Sequence, residues 1–117
     1  MARRRMIEVS LAYDKKFNSL SDFAALLYLK ILPHTDDFGR FDGDPEVIRA
    51  RVEPMKGRKS THYLAALEEI DHAGLITIYE LSNGRRFIQY NQSSFERINA
   101  FLIKQRKKGE FPPPPGI

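Results

Sequence analysis

Cysteine is absent from the 117-residue chain, which removes disulfide scaffolds, thiolate metal sites and cysteine nucleophiles and fits a reducing, cytoplasmic setting. Long apolar runs are absent too: no stretch reaches the about 18 residues that a membrane-spanning helix needs. The start, Ala2-Arg3-Arg4-Arg5-Met6-Ile7-Glu8, has the charge of a signal n-region. Glu8, Ser10, Asp14, Lys15 and Lys16 interrupt any apolar run behind it, so export is not expected. Neither a Ser-His-Asp arrangement nor a glycine-rich phosphate loop stands out, so an enzyme is not expected and no cofactor is implied. An internal repeat is also missing.

What is present suits one domain. The hydrophobic fraction of 42% and charged fraction of 29% are those of a folded globular chain, and the length is too small for two separate cores. Lys and Arg number 19 against 15 Asp and Glu, a formal charge of +4, which points toward polyanionic partners. A folded domain is expected over 1–103, with a basic and proline-rich tail or linker over 104–117.

Hydrophobic spacing supplies the elements. Ile7, Val9, Leu11 and Tyr13 alternate, which predicts a short extended segment. Leu20, Phe23, Ala24, Leu27, Tyr28 and Ile31 fall on one helical face that Leu26, Leu29 and Leu32 widen. Ser19 and Asp22 have capping-box spacing at its start, and Pro33 ends it. The turn-rich run 36–44 has room for a very short strand around 38–41. Asp44-Pro45-Glu46 opens a second helix, and Pro54 closes it. Ser60 is expected to cap a third, with Tyr63, Leu64, Leu67 and Ile70 in the core and Gly74 as its left-handed stop. Two strand-like runs, 75–81 and 86–90, flank Asn83-Gly84, a type I′ hairpin signal that would set Tyr79 opposite Ile88 and Thr77 opposite Tyr90. Phe95, Ile98, Phe101 and Leu102 have helical spacing, and 112–115 is a polyproline II run.

The expected fold is α+β and mainly helical: helix, short strand, two helices and a two-stranded hairpin, the order of a winged helix-turn-helix. In that arrangement the third helix enters the major groove and the hairpin lies beside it. The same elements also serve docking modules.

The run Lys16-Phe17-Asn18-Ser19-Leu20-Ser21-Asp22-Phe23-Ala24, then Asp36-Asp37-Phe38-Gly39-Arg40-Phe41 with Gly43-Asp44-Pro45, then Leu67-Glu68-Glu69, Ala73-Gly74-Leu75-Ile76 and Phe87-Ile88-Gln89, resembles the N-terminal winged-helix domain of phage replication proteins related to DnaD primosomal proteins. The resemblance covers nearly the whole chain. It implies a role in starting DNA replication, through DNA binding, self-association or contact with a helicase-loading or primosomal protein. After the hairpin the chain reads Phe95-Glu96-Arg97-Ile98-Asn99-Ala100-Phe101, where the family commonly carries a Gln-Arg-Ile-Asn-Arg-Pro-like stretch.

Candidate DNA contacts gather at the start of the third helix: Lys56, Arg58, Lys59, Ser60, Thr61 and His62, where amides, hydroxyls and cations suit phosphate. Glu68, Glu69 and Asp71 make its second half acidic, so only the first end can approach DNA. Arg85 and Arg86 mark the hairpin tip, placed to enter a minor groove or grip phosphate, or to keep an exposed edge soluble. Arg3, Arg4 and Arg5 at one end and Lys104, Arg106, Lys107 and Lys108 at the other are auxiliary basic arms that strengthen binding through counterion release. Tyr13, Tyr79 and Tyr90 are candidates for base stacking or, more simply, for packing the hairpin.

Other resemblances to sites dissolve on their spacing. Asp37-Phe38-Gly39 lacks every companion of a kinase motif, and Asp42, Asp44 and Glu46 lack the glycine and distal acid of a calcium loop. His34, Asp36 and Asp37 are turn chemistry rather than a metal site, and His62 and His72 are too far apart to pair. The expected partner is duplex DNA, with no membrane. The alternatives are an assembly module of a replication complex and a winged-helix transcription regulator.

Overall fold

Periodic apolar faces and strong helix stops divide the middle of the chain into short elements. The computed structural model describes residues 5–92, 95 and 109–115. Its helices and strands follow in the order α1 (Lys15–Asn18), α2 (Asp22–Ile31), β1 (Arg40–Asp42), α3 (Pro45–Val52), α4 (Ser60–His72), β2 (Ile76–Glu80) and β3 (Arg86–Tyr90). The strands form one antiparallel sheet in the order β1-β3-β2, so β1 pairs with the far strand of the hairpin. The architecture is α+β and mainly helical, as the sequence predicts. Among the described residues no helix is long and apolar enough to cross a membrane.

The predicted apolar faces make most of the core; Leu64, expected there, is only half-buried, and Ala66 is enclosed on that face of α4 instead. Ala24, Leu27, Tyr28 and Ile31 of α2 are buried with Tyr63, Ala66, Leu67 and Ile70 of α4. Ile48 of α3 and Phe41, Ile76, Ile88 and Tyr90 of the sheet close the remaining sides. Each large apolar side chain withdrawn from water contributes about 1.5–3 kcal/mol before its ordering cost. Tyr90 is fully enclosed and donates its hydroxyl to the Tyr28 carbonyl, and burial pushes its phenol well above the ordinary value. Tyr79 is also buried, which raises its phenol to about 12. Tyr13 is 86% exposed.

Helix ends follow local chemistry where a single residue suffices. Pro33 stops α2, which runs into a 3-10 turn at Leu32–His34. Asp44 caps α3 by accepting from the Glu46 amide at 2.9 Å. Gly74, with φ +83°, ends α4: the Gly74 and Leu75 amides return to the Asp71 and Ile70 carbonyls, the paired bonds of a Schellman stop.

Other expectations are corrected. Residues Val9–Tyr13 form a 3-10 helix rather than an extended segment. An unpaired strand would leave its carbonyls without partners, whereas the Asn18 side-chain amide donates to the carbonyls of Leu11, Ala12 and Asp14. Ser19 does not cap α2; it closes the unanticipated α1, donating its hydroxyl to the Lys16 carbonyl. The cap of α2 is Ser21, and the acid that completes it comes from α4: Glu69 accepts from the Ser21 amide at 2.6 Å and from its hydroxyl at 2.8 Å. This is a capping box closed across the fold instead of within one turn. Glu69→Ala is therefore expected to cost about 1 kcal/mol, read as a lower urea midpoint at unchanged m; an unmoved midpoint would show that water replaces the carboxylate without loss.

The hairpin register also differs by one residue. Tyr79 lies opposite Phe87 and Thr77 opposite Gln89. The loop has three residues, not two: Leu81 and Arg85 form the closing pair, the Gly84 amide donates back to the Leu81 carbonyl, and Gly84 alone has positive φ, +83°. Asn83 keeps negative φ and accepts from the Arg85 amide at 3.0 Å. A three-residue turn ending in left-handed glycine replaces the type I′ turn and flips the faces. Tyr79 and Phe87 consequently share the face opposite Ile78 and Ile88.

Residues 109–115 add an element with no secondary structure. Phe111 sits 5.5 Å from Phe41 and 6.4 Å from Phe87, ring centre to ring centre, against the core. The helical spacing expected at Ile98, Phe101 and Leu102 lies outside the described residues, while Phe95 is 1% exposed.

Candidate functional site

The loop between α3 and α4 gathers Lys56, Arg58 and Lys59, and the fold sorts the polar residues there into two kinds. Lys56, Lys59, Thr61 and His62 are exposed, and Ser60 is half-buried. Lys59, not Ser60, is the N-cap of α4, with no side-chain cap and no acid in the first turn. By contrast α1, α2 and α3 are capped by Asp14, Ser21 and Asp44. The first turn of α4 thus presents the positive end of its dipole beside two exposed lysines. Arg49 first and Ser60 second hold the Glu46 carboxyl below its ordinary value.

Arg58 belongs to the other kind. Its guanidinium pairs with Glu53 at 2.6 Å and lies 4.4 Å over the Phe23 ring. Glu53, its side chain fully enclosed, also accepts from Lys30 at 2.7 Å and from the Tyr63 hydroxyl at 2.8 Å. Burial alone would push the Glu53 carboxyl up. Hydrogen bonds from Lys30, Tyr63 and Arg58, with the Lys30 charge, outweigh it and hold the carboxyl below its usual range. Tyr63 moves up, through burial first and then the Glu53 bond. This network ties α2, α3 and α4 together beneath the loop. Arg58 therefore positions the loop before it can meet any ligand.

The hairpin tip is divided as well. Arg85 is 62% exposed, yet its Nη2 stands 3.5 Å from Asp42 and its guanidinium 5.0 Å over the Phe87 ring. Arg86 is half-buried, faces the other side of the ribbon and lies opposite Glu80 in the ladder. An open cleft of about 460 Å³ separates the tip from the start of α3, lined by Asp42, Asp44, Pro45, Val47, Arg85 and Arg86. Two acids and two arginines balance along its lining, so the cleft has no surplus of positive charge for an anion.

The basic arms fare differently from expectation where they are described. Arg5 has a side chain only 1% exposed. Its Nη2 donates to the Thr35 and Asp36 carbonyls at 2.8 and 2.9 Å, it pairs with Asp37, and its guanidinium lies 5.4 Å over Phe95. It fastens the start of the chain to the 35–37 turn rather than reaching outward. Arg3, Arg4, Lys104, Arg106, Lys107 and Lys108 lie outside the described residues.

Two residues important to the site carry no sequence signal of their role. Glu53 reads as one more acid before Pro54. Asp36 reads as a turn former, yet it is 1% exposed and organises the loop: Oδ1 accepts from the Phe38 and Arg40 amides, and Oδ2 from those of Glu110 and Phe111. Among the described residues no group of three or more His, Asp or Glu side chains is placed to hold a metal ion. His34 packs on Phe41, and burial, then the Arg51 charge, lowers its imidazole pKa. No protein-family model, curated protein or solved structure matches the chain.

Proposed function

We propose that the chain is a winged helix-turn-helix module of a phage-type replication initiation protein, binding duplex DNA through the start of α4 and the β2–β3 wing. The observation that carries this reading is the order helix, strand, two helices and hairpin, with β1 beside β3 and with α4 starting uncapped just after two exposed lysines. Such a helix end suits phosphate, and its neighbours Thr61 and His62 are exposed where base edges would lie. Lys56 and Lys59 carry most of the electrostatic contact, because among the described residues neither has an ion-pair partner, whereas Arg58 and Arg85 do. Arg86 contributes from the wing. A helicase-loading or primosomal protein is the partner class that accompanies this role.

Fluorescence anisotropy with labelled duplex and single-stranded DNA over a salt series tests it. Each phosphate contact contributes about 0.9 to the slope of log K against log salt, so Lys56→Ala with Lys59→Ala is expected to reduce the slope by about 2. An unchanged slope in a folded double variant would remove the start of α4 from the interface. A second reading, an assembly module, draws on the exposed apolar residues Met6, Ile7, Val9 and Tyr13, of which Val9 is 84% exposed. Absence of binding to either form of DNA would favour it.

A further inference from the structure

Met55 takes no part in the packing of the fold. At 93% exposure it is the most open large apolar side chain among the described residues. Its place in the chain is nevertheless fixed. Pro54 and Met55 form the corner of a turn that the Lys56 amide closes on the Glu53 carbonyl at 3.1 Å, and the ring of Pro54 sets its own backbone angle. Beneath that corner Lys30, Arg58 and Tyr63 hold the enclosed Glu53 carboxylate, so the turn is anchored to α2 and α4. Turn corners are ordinarily filled by Gly, Pro, Asn, Asp or Ser, which the local backbone and water satisfy. A thioether gains nothing from either.

The surroundings of Met55 indicate what it meets. Exposed Lys56 follows it directly, and exposed Lys59, the N-cap of α4, comes shortly after. The chain from Met55 to Lys59 spans at most about 14 Å, close to the width of the major groove of duplex DNA, about 12 Å. A Cβ at the intervening Gly57 would have no neighbour within 4 Å, so the loop is open there. An apolar point set among cations fits a partner that is anionic and carries apolar points of its own. On the major-groove edges of duplex DNA those points are the thymine C5-methyl groups. Resting this inference on the DNA reading, we propose that Met55 packs on a thymine C5-methyl when the start of α4 engages the backbone, and so gives the module a preference for A·T pairs. The unbranched, polarizable methionine side chain adapts to whichever pair within reach carries the methyl.

The test uses the full chain and two labelled duplexes, one of alternating A·T pairs and one of the same length in which uracil replaces thymine. The first presents a methyl at every base pair, so no binding site need be known. The wild type is expected to bind it about fourfold more tightly than the uracil duplex, the worth of one methyl group withdrawn from water. Met55→Ala should bring that ratio to about one while Tm and the salt slope stay as they are, because the side chain makes neither a core contact nor a phosphate contact. Met55→Leu should keep the preference. The same ratio in the wild type and Met55→Ala, with duplex binding intact, overturns the inference and leaves the DNA reading standing; absence of binding to both duplexes overturns the two together.

Discussion

Glu53→Ala is expected to destabilise the fold by about 3 kcal/mol, with a fall in Tm of more than about 10 °C. Removing one member of a buried ionic network leaves its partners uncompensated, and here they are Lys30, Arg58 and the Tyr63 hydroxyl. The estimate sits at the low end for such losses because the Lys30 and Arg58 side chains are 34% and 35% exposed and regain water. Glu53→Gln keeps the acceptor oxygen for Tyr63 and should lose less. The pH dependence has a definite sign. The Glu53 carboxyl is held below its ordinary value of 4.5 in the folded state, so its contribution is fully present above that value and is lost as pH falls through the lower folded value. The stability gap between wild type and Glu53→Gln should therefore be flat above about pH 5.5 and narrow on acidification below about pH 4. A gap that widens with acid would mean that the carboxyl is protonated in the fold.

A single methyl group should have a comparable effect at Gly43. A Cβ there would stand 2.9 Å from the Phe87 carbonyl carbon, 3.0 Å from its amide nitrogen and 3.1 Å from the Arg86 carbonyl carbon. All three are backbone atoms of β3, so no rotamer change relieves the clash. The Gly43 amide is also bonded to the Arg86 carbonyl at 2.9 Å, which fixes the same two segments at that spacing. Overpacking against backbone costs up to about 3 kcal/mol, and Gly43→Ala is expected to reach that range in chemical denaturation. Because the displaced strand carries Arg86, the substitution should also disturb the β2–β3 hairpin. A midpoint within error of the wild type would show that β1 and β3 separate freely at this end.

The local rules succeeded at single-residue stops and periodic faces. Pro33, the Asp44-Pro45 pair and Gly74 stand where they were expected because each acts through its own sterics or its own side chain. The faces of α2 and α4 were legible for the same reason, since burial repeats with the helical period. The failures were of another kind. Asn83-Gly84 marks a turn, but whether two or three residues form it depends on which ladder the flanking strands can complete, and that choice moved the register by one. Ser19 and Ser21 are equivalent as local caps; Glu69, 48 residues away, selects Ser21.

Composition and periodicity alone determined a small α+β domain, its helix faces, its hairpin and a surplus of positive charge, because these properties reside in neighbouring residues. Only the tertiary structure decided which charges remain available. Glu53 engages Arg58, the 35–37 turn encloses Arg5, Asp42 faces Arg85, and Asp36 with Tyr79 seats the proline tail. Each of these pairings joins positions whose spacing has no period. Their free energy arises from removing water around groups that the fold alone brings together.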